Sequence, residues 1–337
     1  MISFTIWITE KCNLGCKYCY EQDLFKNKRN TGKYSENVVG FITSIAELYP
    51  DEEVLITFHG GEPLLGIEVI EQYVDRLKKY FMDRVQFCIT TNGTLLNEKN
   101  IEFLCKNFCD ISVSLDGIKS INDKNRINKA GEGTYDLVVK NLEKISIPKH
   151  SIRIRMTITA EAVEVFYKSI TELVSKGYTF LVPVVAVNDP NWNDEKICEL
   201  FSQVKKLISE GYGELPFLKR LLEEPKILSR CNGGIKNFSI ATDEKVYPCE
   251  YVMGNELFCL GTLGDGIGII KKAEKYMSLY YSHNEGACAE CSYEKYCDAG
   301  RCKYYNYINS GELLSPSDNQ CRIEHLNYRI WREFGCQ

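Results

Sequence analysis

Strand-like and helix-like segments alternate from residue 3 to residue 209, and this alternation constrains the fold more than any other feature. β-Branched and aromatic runs predict strands at residues 3–8, 53–59, 84–90, 110–115, 151–158 and 179–187. Apolar residues spaced three and four apart predict helices at residues 35–49, 66–81, 97–108, 134–145, 163–176 and 194–209. Such alternation predicts parallel strands joined by crossover helices. The units predict an α/β fold, a partial (β/α)6 TIM-like barrel, because a complete barrel needs further units.

The residue composition of the chain changes after this region. A helical linker is predicted to run to about residue 228, and turns, aromatic residues and cysteines dominate from Cys231 onward. A chain of 337 residues is long enough for two domains. We therefore predict a barrel domain over residues 1–225 and a cysteine-rich domain over residues 226–337.

Charge and hydropathy exclude several classes of protein. The chain has 41 Lys and Arg against 46 Asp and Glu, a balance that argues against a nucleic-acid-binding surface. No apolar run approaches the roughly 20 residues of a membrane span, and the first residues do not form a signal peptide. We expect a cytoplasmic protein with no nucleic-acid or membrane partner.

Three cysteines follow the first predicted strand with the spacing C-x3-C-x2-C, namely Cys12, Cys16 and Cys19. Iron–sulfur clusters take Cys ligands, so three thiolates on one loop can hold three irons of a [4Fe–4S] cube and leave the fourth iron open. The alternative is structural zinc, which favours four ligands in two pairs. No His lies near this loop, and we interpret it as an iron–sulfur site with an open iron.

The chain has 16 cysteines in all, and tight clusters of them in a cytosolic protein are typical of metal sites. A further four are scattered between the N-terminal loop and residue 230. We expect these four to be small buried apolar residues, and they are Cys88, Cys105, Cys109 and Cys198.

Polar, glycine-bearing turns follow the predicted strands, at the end where βα barrels carry their chemistry. They are His-Gly-Gly-Glu-Pro at residues 59–63, Thr-Thr-Asn-Gly at 90–93 and Ser-Leu-Asp-Gly at 114–117. Each alone is ordinary turn chemistry. Together, on the same rim as the cysteine loop, they predict a ligand site.

These motifs, in this order and strand context, resemble those of radical S-adenosylmethionine (SAM) enzymes over about residues 1–210. The resemblance implies that SAM chelates the open iron and that an electron from the cluster cleaves it. The resulting 5′-deoxyadenosyl radical then abstracts a hydrogen atom from substrate, so the cofactors supply the difficult chemistry.

The resemblance also implies roles for individual residues. Cys12, Cys16 and Cys19 ligate the cluster. The residues that it implies for SAM binding are Tyr18 near the adenine, Gly60, Gly61 and Glu62 at the amino group, Thr91, Ser114 at the ribose and Arg126 at the carboxylate.

Nine cysteines follow residue 230, and they are Cys231, Cys249, Cys259, Cys288, Cys291, Cys297, Cys302, Cys321 and Cys336. Two fully ligated [4Fe–4S] cubes need eight thiolates, which residues 231–321 supply and which leaves Cys336 over. The C-x2-C spacing with a later pair is also typical of a zinc ribbon. The spacing alone therefore does not decide between iron–sulfur clusters and a zinc ribbon.

This segment resembles the SPASM domain, the twin-cluster extension of radical SAM enzymes that modify peptides and proteins. The resemblance implies three [4Fe–4S] clusters in total. It implies an outer cluster held by Cys288, Cys291, Cys297 and Cys321. It implies an inner cluster held by Cys231, Cys249 and Cys302, with a fourth ligand that is Cys259, the substrate or none. Glu244 stands where the family usually has glycine.

Glu250 directly follows Cys249. In the sulfatase-maturing branch of the family an Asp at this position is thought to act as a base. Glu250 could likewise take a proton from a substrate thiol or hydroxyl, which would make it a catalytic residue. The alternative is a solvated carboxylate.

The leading functional prediction is an oxidoreductase, a peptide maturase that forms a thioether or carbon–carbon crosslink in a ribosomally made precursor peptide. The alternative is an anaerobic sulfatase-maturing enzyme, which oxidises Cys or Ser of a protein to formylglycine. A non-enzyme, either an iron–sulfur electron carrier or a zinc-ribbon binding module, is a third class, but neither needs Gly-Gly-Glu-Pro. The expected partners are a reductant such as flavodoxin or ferredoxin and, because the chain starts close to its first strand, a separate leader-binding protein.

Overall fold

The computed structural model of the protein describes residues 1–21, 30–225, 232–280, 288–297 and 302–335. Cys231 and Cys336 therefore lie outside the described residues. The chain divides into two compact units. The first unit comprises Met1–Ser114, Arg126–Pro148 and Asn232–Leu279, and the second comprises Leu115–Asn125, Lys149–Cys231 and Tyr280–Gln337. The domain boundary near residue 225 stays a prediction.

The secondary structure follows the predicted alternation closely. The strands are β1 (Ile2–Thr9), β2 (Val54–Gly60), β3 (Val85–Thr91), β4 (Asp110–Ser114), β5 (Arg153–Ile158), β6 (Leu181–Val185), β7 (Asn237–Ile240), β8 (Lys245–Tyr247) and β9 (Gly261–Thr262). The α-helices are α1 (Glu36–Ala46), α2 (Ile67–Phe81), α3 (Glu98–Asn107), α4 (Lys119–Asn125), α5 (Tyr135–Leu142), α6 (Phe166–Ser175), α7 (Asp194–Ser209), α8 (Pro216–Leu222), α9 (Gly268–Tyr280), α10 (Lys303–Ser310) and α11 (Asp318–Ile330).

In the first unit the strands lie in the order β4-β3-β2-β1-β7-β8-β9. The pairs from β4 to β7 are parallel, and β8 and β9 extend the sheet in antiparallel fashion. Ile6 of β1 lies opposite both Phe58 of β2 and Ile240 of β7. This register brings the carboxyl ends of β1 to β4 to one edge, where the polar turns and the cysteine loop begin.

Alternating burial explains why these strands form a layer between helices and a more polar face. Val54, Ile56 and Phe58 of β2 are fully buried, whereas the residues between them are only half-buried. The apolar stripes of α1 and α2 are buried as well, and Phe4 stacks on Phe238 with ring centres 5.5 Å apart. Each fully buried large apolar side chain contributes roughly 1.5–3 kcal/mol to the stability of the fold.

In the second unit β5 and β6 pair in parallel, with Ile154 opposite Leu181. The amide of Leu115 donates to the carbonyl of Arg155. Helix α4 was not predicted, because residues 119–125 lack apolar periodicity. In the structure the side chain of Asn122 accepts a hydrogen bond from the amide of Asp116 and so fixes the start of this helix to the preceding turn.

The expectation that the four scattered cysteines are buried is wrong for two of them, which are exposed. Helix α3 ends at Asn107, so Cys109 lies outside the helix and is exposed. Cys198 on α7 is exposed too. Cys88 and Cys105 are half-buried. Apolar neighbours in the sequence therefore did not ensure burial at Cys109, because the chain turns there between helix and strand.

Across the parts of the chain that the structure describes, no helix combines the length and the apolar character needed to cross a membrane.

Candidate active site

The glycine turn after β2 lies directly against the chain that leads into the cysteine loop. The amide of Gly61 donates to the carbonyl of Thr9 at 2.8 Å, and the amide of Glu62 donates to the carbonyl of Lys11 at 3.0 Å. A Cβ at Gly61 would lie 2.4 Å from the Lys11 oxygen, and Gly60 has a φ of +129°. Both positions therefore require glycine. These two backbone hydrogen bonds join the turn to the chain that leads into the loop and so fix Glu62 relative to the cysteines.

The cysteine loop is anchored on its other side as well. Cys12, Cys16 and Cys19 are half-buried, and the amide of Cys19 donates to the carbonyl of Cys16 at 3.1 Å. Between them, the amide of Gly15 donates to the carbonyl of Ile127 at 2.8 Å. The segment after Arg126 therefore holds the middle of the loop.

The thiol of Cys12 sits in an environment that suits a cationic ligand. It accepts hydrogen bonds from the amide of Leu14 at 3.4 Å and from the side chain of Asn92 at 3.8 Å. Burial raises the pKa of Cys12 to about 12, and the nearby Glu62, Cys16 and Cys19 act in the same direction. A thiolate here needs compensating positive charge, and metal binding supplies it because metals bind thiolates in deprotonated form. The three cysteines therefore fit an iron–sulfur cluster.

Glu62 is a fully buried carboxylate, with 0% of its surface exposed. It accepts hydrogen bonds from the Thr91 hydroxyl at 2.7 Å and from the amides of Asn92 at 2.7 Å and Leu64 at 3.1 Å. Burial raises the pKa of Glu62 to about 7, although these hydrogen bonds oppose the rise. Three fixed donors orient the carboxylate, and burial makes it a strong partner for an ammonium group. The residue thus fits the amino group of SAM.

Asn92 connects these two groups and was missed at the sequence level. Its amide binds Glu62, while its side chain donates to the sulfur of Cys12 and, at 2.9 Å, to the side-chain oxygen of Asn13. The Thr94 hydroxyl donates to Asn92 at 2.6 Å and orients it. The signal was present in the Thr-Asn-Gly motif, of which only Thr91 had been proposed as a site residue.

Tyr18 and Arg126 lie together beside the loop. Arg126 is 6% exposed, and its guanidinium carbon lies 5.4 Å from the centre of the Tyr18 ring. Such a geometry is a cation–π contact. Ser114 is the last residue of β4 and is buried. Because Thr91 lies opposite Val113, Ser114 reaches the same sheet edge as Thr91.

His59, just before the glycine turn, lies next to Glu21 and Trp7, two side chains that the sequence analysis did not connect with it. Its Nδ1 lies 3.6 Å from a carboxylate oxygen of Glu21, and its ring centre lies 5.5 Å from that of Trp7. Burial raises the pKa of Glu21 to about 8. Glu21 and Trp7 belong to no motif, and only the folded chain shows that both lie next to His59.

The turn that carries Glu250 packs against this edge of the first unit. Trp7 forms a buried cluster with Tyr247 and Met253, and the Tyr251 ring lies 6.4 Å from the ring of Tyr20, which follows Cys19. Glu250 is half-buried within this turn. Its carboxylate therefore belongs to a segment that adjoins the cysteine loop.

In the second unit, three of the proposed outer-cluster cysteines come close together. The amide of Cys291 donates to the carbonyl of Cys288 at 3.2 Å. Burial raises the pKa of Cys288, and Cys291 adds to the rise. Burial likewise raises the pKa of Cys321, with Cys288 and Cys291 acting in the same direction. Cys297 follows the short turn at Glu294–Tyr296.

The proposed inner-cluster residues are less completely described. Burial lowers the pKa of Lys303, and the adjacent Cys302 opposes that effect. Cys249 is half-buried in the first unit. Cys259, also in that unit, packs against the Trp7 cluster and donates from sulfur to the carbonyl of Gly261 at 3.5 Å. The inner ligand set stays a prediction because Cys231 lies outside the described residues.

A group of three or more His, Cys, Asp or Glu side chains arranged for a single metal ion is not found in the described ranges. A [4Fe–4S] cube differs from a single ion because each thiolate binds a different iron, so its ligands stand further apart. The absence of such a group therefore concerns sites for one metal ion and does not concern a four-iron cube.

Comparison with known proteins adds a family match. A family model described as the Radical SAM superfamily matches residues 6–204. A cysteine-type anaerobic sulfatase-maturating enzyme of Clostridium novyi is 26% identical over 274 residues, which are 74% of this chain and 73% of the relative. The radical SAM cyclopropyl synthase TigE of Paramaledivibacter caminithermalis is 22% identical over 96% of this chain and 72% of its own.

Solved structures share the fold. The structure of native anSMEcpe with bound AdoMet matches with a TM-score of 0.78 and 22% identity, over 100% of this chain and 97% of that one. Streptococcus suis SuiB bound to precursor peptide SuiA matches with a TM-score of 0.66 and 16% identity, over 95% of this chain and 75% of that one. These matches confirm the predicted α/β class and the partial barrel.

Proposed function

The chain belongs to the radical SAM superfamily, and we propose that this enzyme modifies a peptide or protein by abstracting a hydrogen atom from it. Membership of the family implies a [4Fe–4S] cluster and SAM as cofactors. The observation that carries the proposal is the backbone contact between the glycine turn and the cysteine loop, which holds the buried Glu62 beside Cys12.

We propose that Cys12, Cys16 and Cys19 hold the cluster. When bound, the cluster and SAM supply the 5′-deoxyadenosyl radical that attacks substrate. Glu62 accepts hydrogen bonds from the amino group of SAM, and Arg126 pairs with its carboxylate. Because both side chains are buried, they exclude water and act more strongly than they would in solvent.

Further roles in the SAM site follow from position. The backbone of Gly60 and Gly61 meets the amino group of SAM beside Glu62. Thr91 orients the Glu62 carboxylate by donating to it. Tyr18 packs near the adenine and Ser114 binds the ribose, in keeping with their place at the rim of the sheet.

The peptide substrate is supported by the relatives. The named relatives include sulfatase-maturating enzymes and a cyclopropyl synthase, and SuiB was solved with a precursor peptide. We propose that the product is a thioether or carbon–carbon crosslink in a ribosomally made precursor peptide. The proposed electron donor is a reductant such as flavodoxin or ferredoxin.

Glu250 is the proposed base. Its turn adjoins the cysteine loop through the contact between Tyr251 and Tyr20, so a substrate that reaches the radical also comes near the carboxylate. Deprotonating a thiol or hydroxyl prepares it to lose an electron, because the negative charge makes oxidation easier. That role is general-base catalysis.

We propose that residues 226–337 form a SPASM domain with two auxiliary [4Fe–4S] clusters, which when bound would supply an acceptor for the electron released by substrate oxidation. Cys288, Cys291, Cys297 and Cys321 hold the outer cluster. Cys231, Cys249 and Cys302 hold the inner one, and Cys259 or the substrate completes it. The burial and mutual closeness of Cys288, Cys291 and Cys321 support the outer set.

A second candidate function is the oxidation of Cys or Ser to formylglycine in a sulfatase. The observation in its favour is that the match to the Clostridium novyi maturating enzyme extends over 73% of that relative. Glu250 would serve the same purpose in this reaction, since oxidation to formylglycine also requires the thiol or hydroxyl to lose its proton.

The experiment starts from anaerobically reconstituted protein, which is expected to hold about twelve irons, four for each of three clusters. With SAM and dithionite it should form 5′-deoxyadenosine. Absence of that product at full iron content would refute the radical mechanism.

Co-expression with a peptide encoded beside the gene, followed by mass spectrometry, then distinguishes the reactions. Loss of two hydrogen atoms within an internally linked peptide supports the crosslink. An aldehyde that reacts with a hydrazide, formed on a sulfatase-derived peptide, supports the second candidate instead.

A further inference from the structure

Two thiols outside the proposed cluster ligands touch each other in the first unit. The sulfur atoms of Cys88 and Cys109 are 3.7 Å apart. Cys88 lies in β3 opposite Asp110, and Cys109 is the residue that precedes β4. The amide of Cys109 donates to the carbonyl of Phe87 at 3.0 Å. The two backbones are thus hydrogen-bonded neighbours, and Cys109 is offset by one residue from the position opposite Cys88. Strands about 4.8 Å apart with a rise of about 3.3 Å per residue place the two Cα atoms roughly 6 Å apart, within the range that a disulfide spans.

The two thiols differ in how reagents can reach them. Cys109 is exposed, whereas Cys88 is half-buried. Cys109 also lines an open cavity of about 450 Å³ together with Lys78, Gln86 and Asn107. A molecule of a few heavy atoms can therefore reach the sulfur of Cys109 first, and the sulfur of Cys88 is then in contact with the atom that has reacted.

We propose that Cys88 and Cys109 form a redox-active dithiol that exchanges with low-molecular-weight disulfides. The Cys109 thiolate attacks one sulfur of the small disulfide, forms a mixed disulfide and releases one thiolate. The Cys88 thiolate then attacks the Cys109 sulfur, forms the Cys88–Cys109 bond and releases the second thiolate. The two protein thiols lose two electrons and two protons, and the small disulfide is reduced to two thiols.

An intramolecular partner in contact makes the second step fast, because closing the bond needs only side-chain rotation. Cytosolic disulfides of this kind are typically transient and redox-sensing. This one would link β3 to β4, the strands whose ends carry Thr91 and Ser114. The assignment does not depend on the proposed substrate or on the auxiliary clusters.

The test uses the cluster-loaded protein under anaerobic conditions, with bis(2-hydroxyethyl) disulfide as the oxidant. Remaining thiols are alkylated with iodoacetamide, and trypsin places the cysteines of interest on separate peptides. Cys88 falls on residues 85–99, Cys105 on 100–106 and Cys109 on 107–119. We expect peptides 85–99 and 107–119 to be recovered linked to each other, roughly tenfold more often than either is linked to 100–106. Dithiothreitol should restore both alkylated peptides, and the visible absorbance should show that the clusters persist.

Two variants test the order of the steps. In Cys88→Ser, Cys109 should retain the hydroxyethyl mixed disulfide, because nothing resolves it. In Cys105→Ala, the yield of the linked pair should equal that of the unchanged protein. The proposal is overturned if Cys88 and Cys109 stay alkylatable, if the mixed disulfide on Cys109 persists while Cys88 is present, or if Cys105 forms links as readily.

Discussion

Asn92 contacts both the candidate cluster ligand and the candidate SAM-binding carboxylate. Its amide donates to Glu62, and its side chain donates to the sulfur of Cys12. A hydrogen bond to a ligand sulfur disperses negative charge and eases reduction of the cluster. We therefore expect this one residue to affect both how SAM is held and how readily the cluster takes an electron.

Replacement Asn92→Ala should shift the midpoint potential of the SAM-binding cluster to a more negative value. The reason is the lost hydrogen bond to Cys12. The potential is measured by a redox titration followed by electron paramagnetic resonance.

The matched control is Asn97→Ala, which removes the side chain that caps α3 by accepting from the amide of Asn100. It should cost about 0.5–2 kcal/mol of folding stability and leave the potential unchanged. An equal shift in both variants would mean that a general loss of folding stability, rather than the hydrogen bond to the sulfur of Cys12, changes the potential.

The raised pKa of Glu62 predicts a pH dependence of SAM binding. A carboxyl with a pKa of about 7 is neutral below that pH and cannot pair with an ammonium group. The affinity for SAM should therefore be full above about pH 7 and fall as the pH drops below it, by at most about tenfold per pH unit. Equilibrium dialysis with SAM at several pH values measures this.

In Glu62→Gln the affinity should be low at every pH and should no longer vary across this range. A variant that kept the pH dependence of the unchanged protein would assign the titration to another group.

At the scale of single residues, the cysteine loop and the glycine turn were visible in the sequence because their chemistry leaves fixed spacings. Asn92, Glu21 and Trp7 were not singled out. Their importance comes from contacts between distant parts of the chain. Asn92 and Cys12, for example, are 80 residues apart, and no local pattern in the sequence records such a contact.

At the scale of elements, the glycine turn and the cysteine loop behave as one piece. Gly61→Ala would place a Cβ 2.4 Å from the carbonyl oxygen of Lys11, a backbone atom that can move only if the loop moves. The variant should lose about 1–3 kcal/mol of stability and bind less iron after reconstitution. Thermal unfolding and iron analysis measure the two effects.

Gly15→Ala is the control in the same loop, because nothing lies within 4 Å of its would-be Cβ. It should retain both stability and iron. If the two variants lost iron equally, added bulk anywhere in the loop would explain the loss, and the contact with the turn would not matter.

The alternation of strands and helices was predictable because apolar periodicity reports a buried face directly. The structure also shows elements that this signal does not reach. Helix α4 rests on a side-chain hydrogen bond instead of an apolar stripe, and β8 and β9 are only three and two residues long. Cys109 was misjudged for a related reason, since its exposure depends on where α3 ends.

At the scale of the whole molecule, the proposed SAM-binding cluster and the proposed outer auxiliary cluster should have separable roles in the reaction. Cys16→Ala removes a proposed ligand of the SAM-binding cluster in the first unit, so no 5′-deoxyadenosine should form. Cys291→Ala removes a proposed outer ligand in the second unit and should spare part of that activity. Product analysis by liquid chromatography, with iron content measured for each variant, distinguishes the two. Equal loss in both would contradict separate roles.

The hydrogen bonds that join Gly61 and Glu62 to Thr9 and Lys11 have a consequence for protein engineering. A cysteine loop transplanted from a relative would arrive without its own glycine turn, and the mismatch would displace the carboxylate from the cluster. Grafts should therefore exchange the two segments as a matched pair, although about 50 residues separate them in the chain. Recombination libraries that cross over between β1 and β2 should yield far fewer working enzymes than libraries that keep these strands from one parent.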